Sequence, residues 1–200
     1  HCPTATEAIF RGENYLMSKK ILLITGDAGE SYETLYALHR FREAGHTPVI
    51  AAPSKRWLNL VMHDFEPGWD TYVEKPGYKA QSDLSFEEVD VDDYDAILVL
   101  GGRAPEYLRH NQKLLALLRE FYAKEKGVFT ICHGIQVLIA AGLAEGKRLT
   151  CYEHVRYEVE SNGGTYVTEQ AIRDGNLVTG QTWQSHPEFY REVFSCLESL

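Results

Sequence analysis

FTICHGIQVL, residues 129–138, is the stretch on which the fold turns. Its first half is an apolar run of the kind that makes a strand buried on both faces. Its second half spaces apolar residues at helical period. Cys132 and His133 stand at the junction, with Gly134 directly after them. In open α/β sheets ligands bind beyond the carboxyl ends of the strands, so Cys132 is predicted at a ligand-facing edge. A strand, a nucleophile and a helix joined by a sharp turn with a small residue form a nucleophile elbow. The positive end of the helix favours thiolate over thiol, which predicts a Cys132 pKa below about 7, against about 8.5 for a free cysteine. The competing reading of the same residue is an inert buried thiol, since free cysteines are among the most buried residues.

Working outward, ILLIT (21–25), TPVIAA (47–52), DYDAILVLGG (93–102) and VFTI (128–131) read as strands. Between them, 31–45 and 111–127 read as helices with glycine stops, and 133–142 as a short apolar helix in the core. Residues 152–164 read as a further helix. TYVTE (165–169) and AIRDGNLVTG (171–180) follow as short strands, the second a hairpin turning at Asp174-Gly175. HPEFYREVFSCLESL (186–200) closes as a helix with proline near its start. Strands alternating with helices predict an α/β fold, a parallel sheet covered by helices on both faces. Residues 53–82, rich in Pro, Gly, Trp and Tyr, read as an irregular surface excursion. Residues 1–16 lack periodicity and read as a disordered leader or appended segment, with 17–200 as a single domain.

Twenty basic against 29 acidic side chains give a net charge of −9, which argues against nucleic acid as a main partner. No apolar run approaches the roughly 20 residues of a membrane span. The four cysteines form no C-x-x-C pair, so free thiols and a cytoplasmic protein are expected.

Three other stretches bear on the site. Gly101 and Gly102 end a strand and expose backbone N–H groups, as an oxyanion hole requires, or else make a plain turn. Glu33 falls in the first turn of the helix after the first strand, where an acid complementing the helix dipole is also common. Trp183 and His186 precede the last helix as site candidates, and packing is the favoured reading of His186.

In combination these stretches resemble the ThiJ/PfpI family, whose fold is flavodoxin-like. YETLYALHRFREAGH, DLSFEEVDVDDYDAILVLGGRAPEYLRHN and ICHGIQVLIAAG are similar to its three signature regions, and NLVTGQTWQSHPEF to the plant tandem-domain members with glyoxalase activity. The resemblance implies Cys132 as nucleophile with His133 beside it, Glu33 as the acid that hydrogen-bonds the thiol, and Gly101 and Gly102 as oxyanion amides. It also implies Glu106 as the residue that reaches a partner subunit's histidine, and so a homo-oligomer of two or more copies. Ile135 and Leu100 depart from residues frequent in the family at those positions. The activity implied is a cofactor-free conversion of methylglyoxal or glyoxal to a 2-hydroxy acid, needing no metal and no glutathione, with deglycase repair as a further possibility. The alternatives are a peptidase using Cys132, His133 and Glu106, and a non-enzymatic redox sensor or holdase chaperone in which Cys132 oxidises.

Overall fold

The structure is a computed structural model describing residues 17–200; the reading of 1–16 lies outside the described residues. The elements in chain order are β1 (Lys20–Ile24), α1 (Ser31–Glu43), β2 (Thr47–Ala52), β3 (Trp57–Asp64), β4 (Val73–Gln81), β5 (Leu84–Ser85), β6 (Ala96–Val99) and α2 (Ala104–Leu108). They continue with α3 (Gln112–Ala123), β7 (Gly127–Ile131), α4 (Ile135–Ala140), β8 (Arg148–Leu149), α5 (Arg156–Ser161), β9 (Thr165–Tyr166), β10 (Ala171–Asp174), β11 (Leu177–Gly180) and α6 (His186–Glu198).

Seven strands form one sheet in the order β10-β11-β7-β6-β1-β2-β5. All neighbours are parallel except the β10–β11 hairpin. The flavodoxin-like α/β architecture expected from the sequence is therefore present. Its central strands are buried throughout: Ile21 to Ile24, Ala96 to Val99 and Val128 to Ile131 are all 0–1% exposed, which is why they read as unbroken apolar runs rather than alternating ones. Leu114, Leu117, Leu118 and Phe121 bury one stripe of α3, whose start Asn111 caps by accepting a hydrogen bond from the Leu114 N–H at 3.0 Å.

Several details differ from the sequence reading. Residues 53–82 are not irregular: β3 and β4 pair as an antiparallel hairpin separate from the main sheet. Pro76 masks the pattern, yet in a two-stranded ribbon both strands are edges and proline is tolerated. The helix over 111–127 ends at Ala123, and the left-handed residue after it is Glu125, not a glycine. Gly127 begins β7 instead, where a β-carbon would lie 2.9 Å from that of Ala96. The β10–β11 hairpin turns at Gly175-Asn176, because Asp174 still pairs with Leu177. The helix over 152–164 shrinks to one 3-10 turn and six residues of α-helix.

Candidate active site

The sheet aims the carboxyl ends of β1, β6 and β7 at one point. β7 ends at Ile131, and Cys132 takes a left-handed backbone, φ 59°. A non-glycine residue in that region costs about 1–3 kcal/mol and persists only where its surroundings impose it. Here the surroundings are close: a β-carbon on Gly134 would lie 2.4 Å from the Val99 carbonyl oxygen on β6. The turn therefore folds tightly against β6, Cys132 sits at its apex, and α4 follows after a single 3-10 turn.

Glu33, in the first turn of α1, is fully buried beside the thiol. Its Oε1 accepts a hydrogen bond from the Gly101 N–H at 2.8 Å. Oε2 is buried with no partner meeting hydrogen-bond geometry, and the carboxyl lies beside the Cys132 thiol. A β-carbon on Gly101 would lie 2.6 Å from Glu33 Oε1 and 2.7 Å from Cys132 Cβ, so only glycine fits between acid and nucleophile. The N–H of Gly101 is thus engaged by Glu33 and orients it. Gly102, at φ 84°, and His133 direct their backbone N–H groups at the sulfur.

His133 Nδ1 stands 3.3 Å from Cys132 Sγ, so two adjacent residues do converge on one point. Burial, with His63 and His154 nearby, pulls the His133 pKa down to about 4, which leaves it neutral at physiological pH. The ring sits among Tyr152 at 5.1 Å, Tyr72 at 5.5 Å and His63 at 6.1 Å between centroids. Tyr72 and His63 come from the segment read as irregular. His63 Nε2 bonds Glu74 Oε1 at 2.9 Å, and Arg103 donates to both oxygens of Glu74 from Nε and Nη2 at 3.2 and 3.3 Å. Burial works to raise Glu74, but the hydrogen bonds of His63 and Arg103 outweigh it and hold the carboxyl below its ordinary range.

The depressed thiol pKa expected from the helix end is not what the packing produces. Burial first, then the charge of Glu33, push the Cys132 thiol up, and the N–H groups of His133 and Gly102 do not offset them. Glu33 is pushed up as well, by burial and then by Glu30. Two acids buried this closely cannot both ionise, and they titrate as a pair. A dipole argument made on the sequence contains no burial, and burial decides the outcome here.

Glu30 escaped the sequence reading because glutamate is an unusual helix cap. It caps α1 through Oε2, which accepts the Glu33 N–H at 2.6 Å, while Oε1 accepts from the His63 N–H at 3.4 Å. Burial raises its pKa to about 7 against hydrogen bonds that work the other way. A carboxyl that binds its proton more tightly when folded stabilises the fold fully below its ordinary value of 4.5, and that contribution is lost as pH rises through about 7. The loss is about 3 kcal/mol over that window. Glu30→Gln is expected to flatten the decline of stability between pH 5 and 7.5 measured by urea unfolding; an unchanged decline would contradict the assignment.

The remaining candidates lie further out. Glu106 is exposed on α2. Trp183 donates its indole N–H to the His63 carbonyl at 2.9 Å and so ties the β3–β4 hairpin to the body. His186 is 3% exposed and stacks on Tyr36 at 4.2 Å, the packing role favoured for it. Among the described residues no group of three His, Cys, Asp or Glu side chains is placed to hold a metal ion. None of their helices is long and apolar enough to cross a membrane.

Residues 19–195 match the family model described as DJ-1/PfpI family. The chain belongs to the DJ-1/PfpI family. Its match to protein DJ-1 homolog D of Arabidopsis thaliana is 38% identical over 90% of this chain and 48% of the plant protein, so the chain spans about half that relative's length. A Thermococcus kodakarensis protein named a deglycase is 36% identical over 81% of this chain and 89% of its own. The crystal structure of a ThiJ/PfpI domain protein from Brachyspira murdochii superposes with a TM-score of 0.80 at 22% identity, covering 92% of this chain and 99% of that one, and shares the DJ-1/PfpI fold.

Proposed function

We propose that the protein is a cofactor-independent glyoxalase of the glyoxalase III type, acting on methylglyoxal or glyoxal, with deglycase release of early carbonyl adducts at the same site. The observation that carries the reading is the burial of Glu33 against Cys132 at the apex of the elbow. The deglycase names of relatives 36% identical support it as an enzyme on reactive carbonyls.

With Glu33 protonated, its charge no longer opposes the thiolate, and its proton joins the Gly102 and His133 N–H groups in stabilising sulfur. The thiolate attacks the aldehyde carbon and forms a hemithioacetal. The oxygen on C1, left as an alkoxide by the attack, takes the proton of Glu33, which leaves Glu33 as a base beside C1. It takes the C1 proton and returns it to C2 through an enediolate. Neutral His133, 3.3 Å from sulfur, is placed to exchange a proton with the oxygen on C1. Hydrolysis of the thioester frees the 2-hydroxy acid and the thiol.

Methylglyoxal consumption without added thiol is expected to saturate with substrate, to be unchanged by excess chelator, and to fall to background in Cys132→Ala. An oxidised form of Cys132 that is stable under mild peroxide, in a protein inert to dicarbonyls, would instead support the redox-sensor alternative.

A further inference from the structure

We propose that the cavity between the β3–β4 turn and the 3-10 turn before α5 binds an arginine side chain of the polypeptide that carries a carbonyl adduct. The inference rests on the adduct-release reading above and adds to it where the carrier binds.

The turn FEPGWDTY (65–72) faces Tyr152 and Glu153 across a cavity of about 310 Å³. Phe65, Trp69 and Tyr152 are its aromatic walls. Phe65 stands between Tyr152 at 6.2 Å and Trp183 at 5.8 Å, yet it is 41% exposed, and Trp69 is 61% exposed. Glu66, Asp70 and Glu153 add three carboxylates around these rings, and no lysine or arginine lines the cavity. Glu66 is engaged by Lys75 and Glu153 lies 3.6 Å from His154 Nε2, while Asp70 is exposed. Aromatic faces beside carboxylates attract a cation, and the same carboxylates repel an anion. A guanidinium suits this lining better than an ammonium, because it is planar, stacks on aromatic rings and forks onto carboxylates.

Tyr152 joins the cavity to the nucleophile. Its backbone N–H donates to the Cys132 carbonyl at 3.4 Å. Its ring stacks on His133 at 5.1 Å, and His133 Nδ1 is 3.3 Å from the sulfur. The path from cavity to sulfur thus runs over two rings, a length that two or three extended residues cover at about 3.3–3.6 Å each. An adduct and an arginine two or three positions apart in one polypeptide can reach both places. Free methylglyoxal uses only the sulfur.

The test compares acetyl-Cys-Gly-Gly-Arg-amide with its citrulline counterpart, which keeps the shape of the side chain without its charge. Affinity is read on the unmodified peptides by saturation-transfer NMR of their protons. The parent should bind the arginine peptide about tenfold more tightly, the scale of a cation–π contact with carboxylates beside it. Trp69→Leu should lose most of that preference, Trp69→Phe should keep part of it, and Asp70→Asn combined with Glu153→Gln should abolish it. Turnover of free methylglyoxal in Trp69→Leu should stay within about twofold of the parent, as for an exposed side chain outside the chemistry. With methylglyoxal loaded on the peptide cysteine, lactate should form faster from the arginine peptide in the same proportion as the affinities. Equal affinity for the two peptides in the parent, an unchanged preference in Trp69→Leu, or equal lactate rates from the loaded peptides would overturn the proposal. An arginine preference that Trp69→Leu removes, in a parent inert to methylglyoxal, would overturn the carbonyl reading and leave the arginine site standing. Methylglyoxal turnover with no preference between the peptides would overturn the arginine site alone.

Discussion

Glu33→Gln is expected to lower turnover of methylglyoxal by about 10²-fold or more, the usual scale of general-base catalysis, while Cys132 remains at least as reactive to iodoacetamide at neutral pH. Both halves follow from the geometry. The glutamine Oε1 can accept the Gly101 N–H as the carboxylate does at 2.8 Å, so the side chain keeps its place. The amide nitrogen replaces Oε2 and donates toward sulfur. It cannot remove a proton from C1. It also carries no charge, and the charge of Glu33 is one of the causes that raise the thiol, so alkylation is not slowed. An acid that only complements the dipole of α1 would predict normal turnover and a stability change within about 1 kcal/mol. Normal turnover in Glu33→Gln would remove it as the base.

Gly134→Ala is expected to be a costly single-methyl substitution at the site. The new methyl would sit 2.4 Å from a backbone oxygen on β6, which cannot swing away as a side chain would. Forced overpacking of this kind costs about 1–3 kcal/mol, and the melting temperature of a chain this size falls by about 2–4 °C for each. Relieving the contact by moving the elbow off β6 would shift Cys132 relative to Glu33 and the Gly102 N–H. Turnover should therefore fall by more than the stability loss explains, in protein that is still folded at the assay temperature. A folded variant with parent-like turnover would mean that the elbow has slack the close contact denies it.

How much of this was written in the sequence depends on which force decides each part. The central sheet was legible, because strands buried on both faces cannot alternate and ILLI, AILV and GVFTI do not. The elbow was legible for the same reason, since an apolar run stops at Cys132 and a helical period starts after Gly134. The β3–β4 hairpin was not. Leu58 and Leu60 alternate as a half-buried strand should, but a bulge between Asn59 and Val61 breaks the period and Pro76 reads as a breaker. Missing the hairpin meant missing His63, Tyr72 and Glu74, whose closeness exists only through cross-strand pairing. A search for alternation on either side of GWD would have been the available signal. Glu30 and the raised thiol were hidden for another reason: both follow from burial among other acids, which no local pattern encodes.

The central claim is that Cys132 converts a dicarbonyl with no help from outside the chain. Proton NMR of methylglyoxal incubated with the protein, without added thiol and with excess chelator, tests it most directly. The parent should produce lactate at a rate that saturates with methylglyoxal, and Cys132→Ala should produce none above the protein-free control. Methylglyoxal that persists beside the parent protein, or lactate formed equally by Cys132→Ala, would contradict the account.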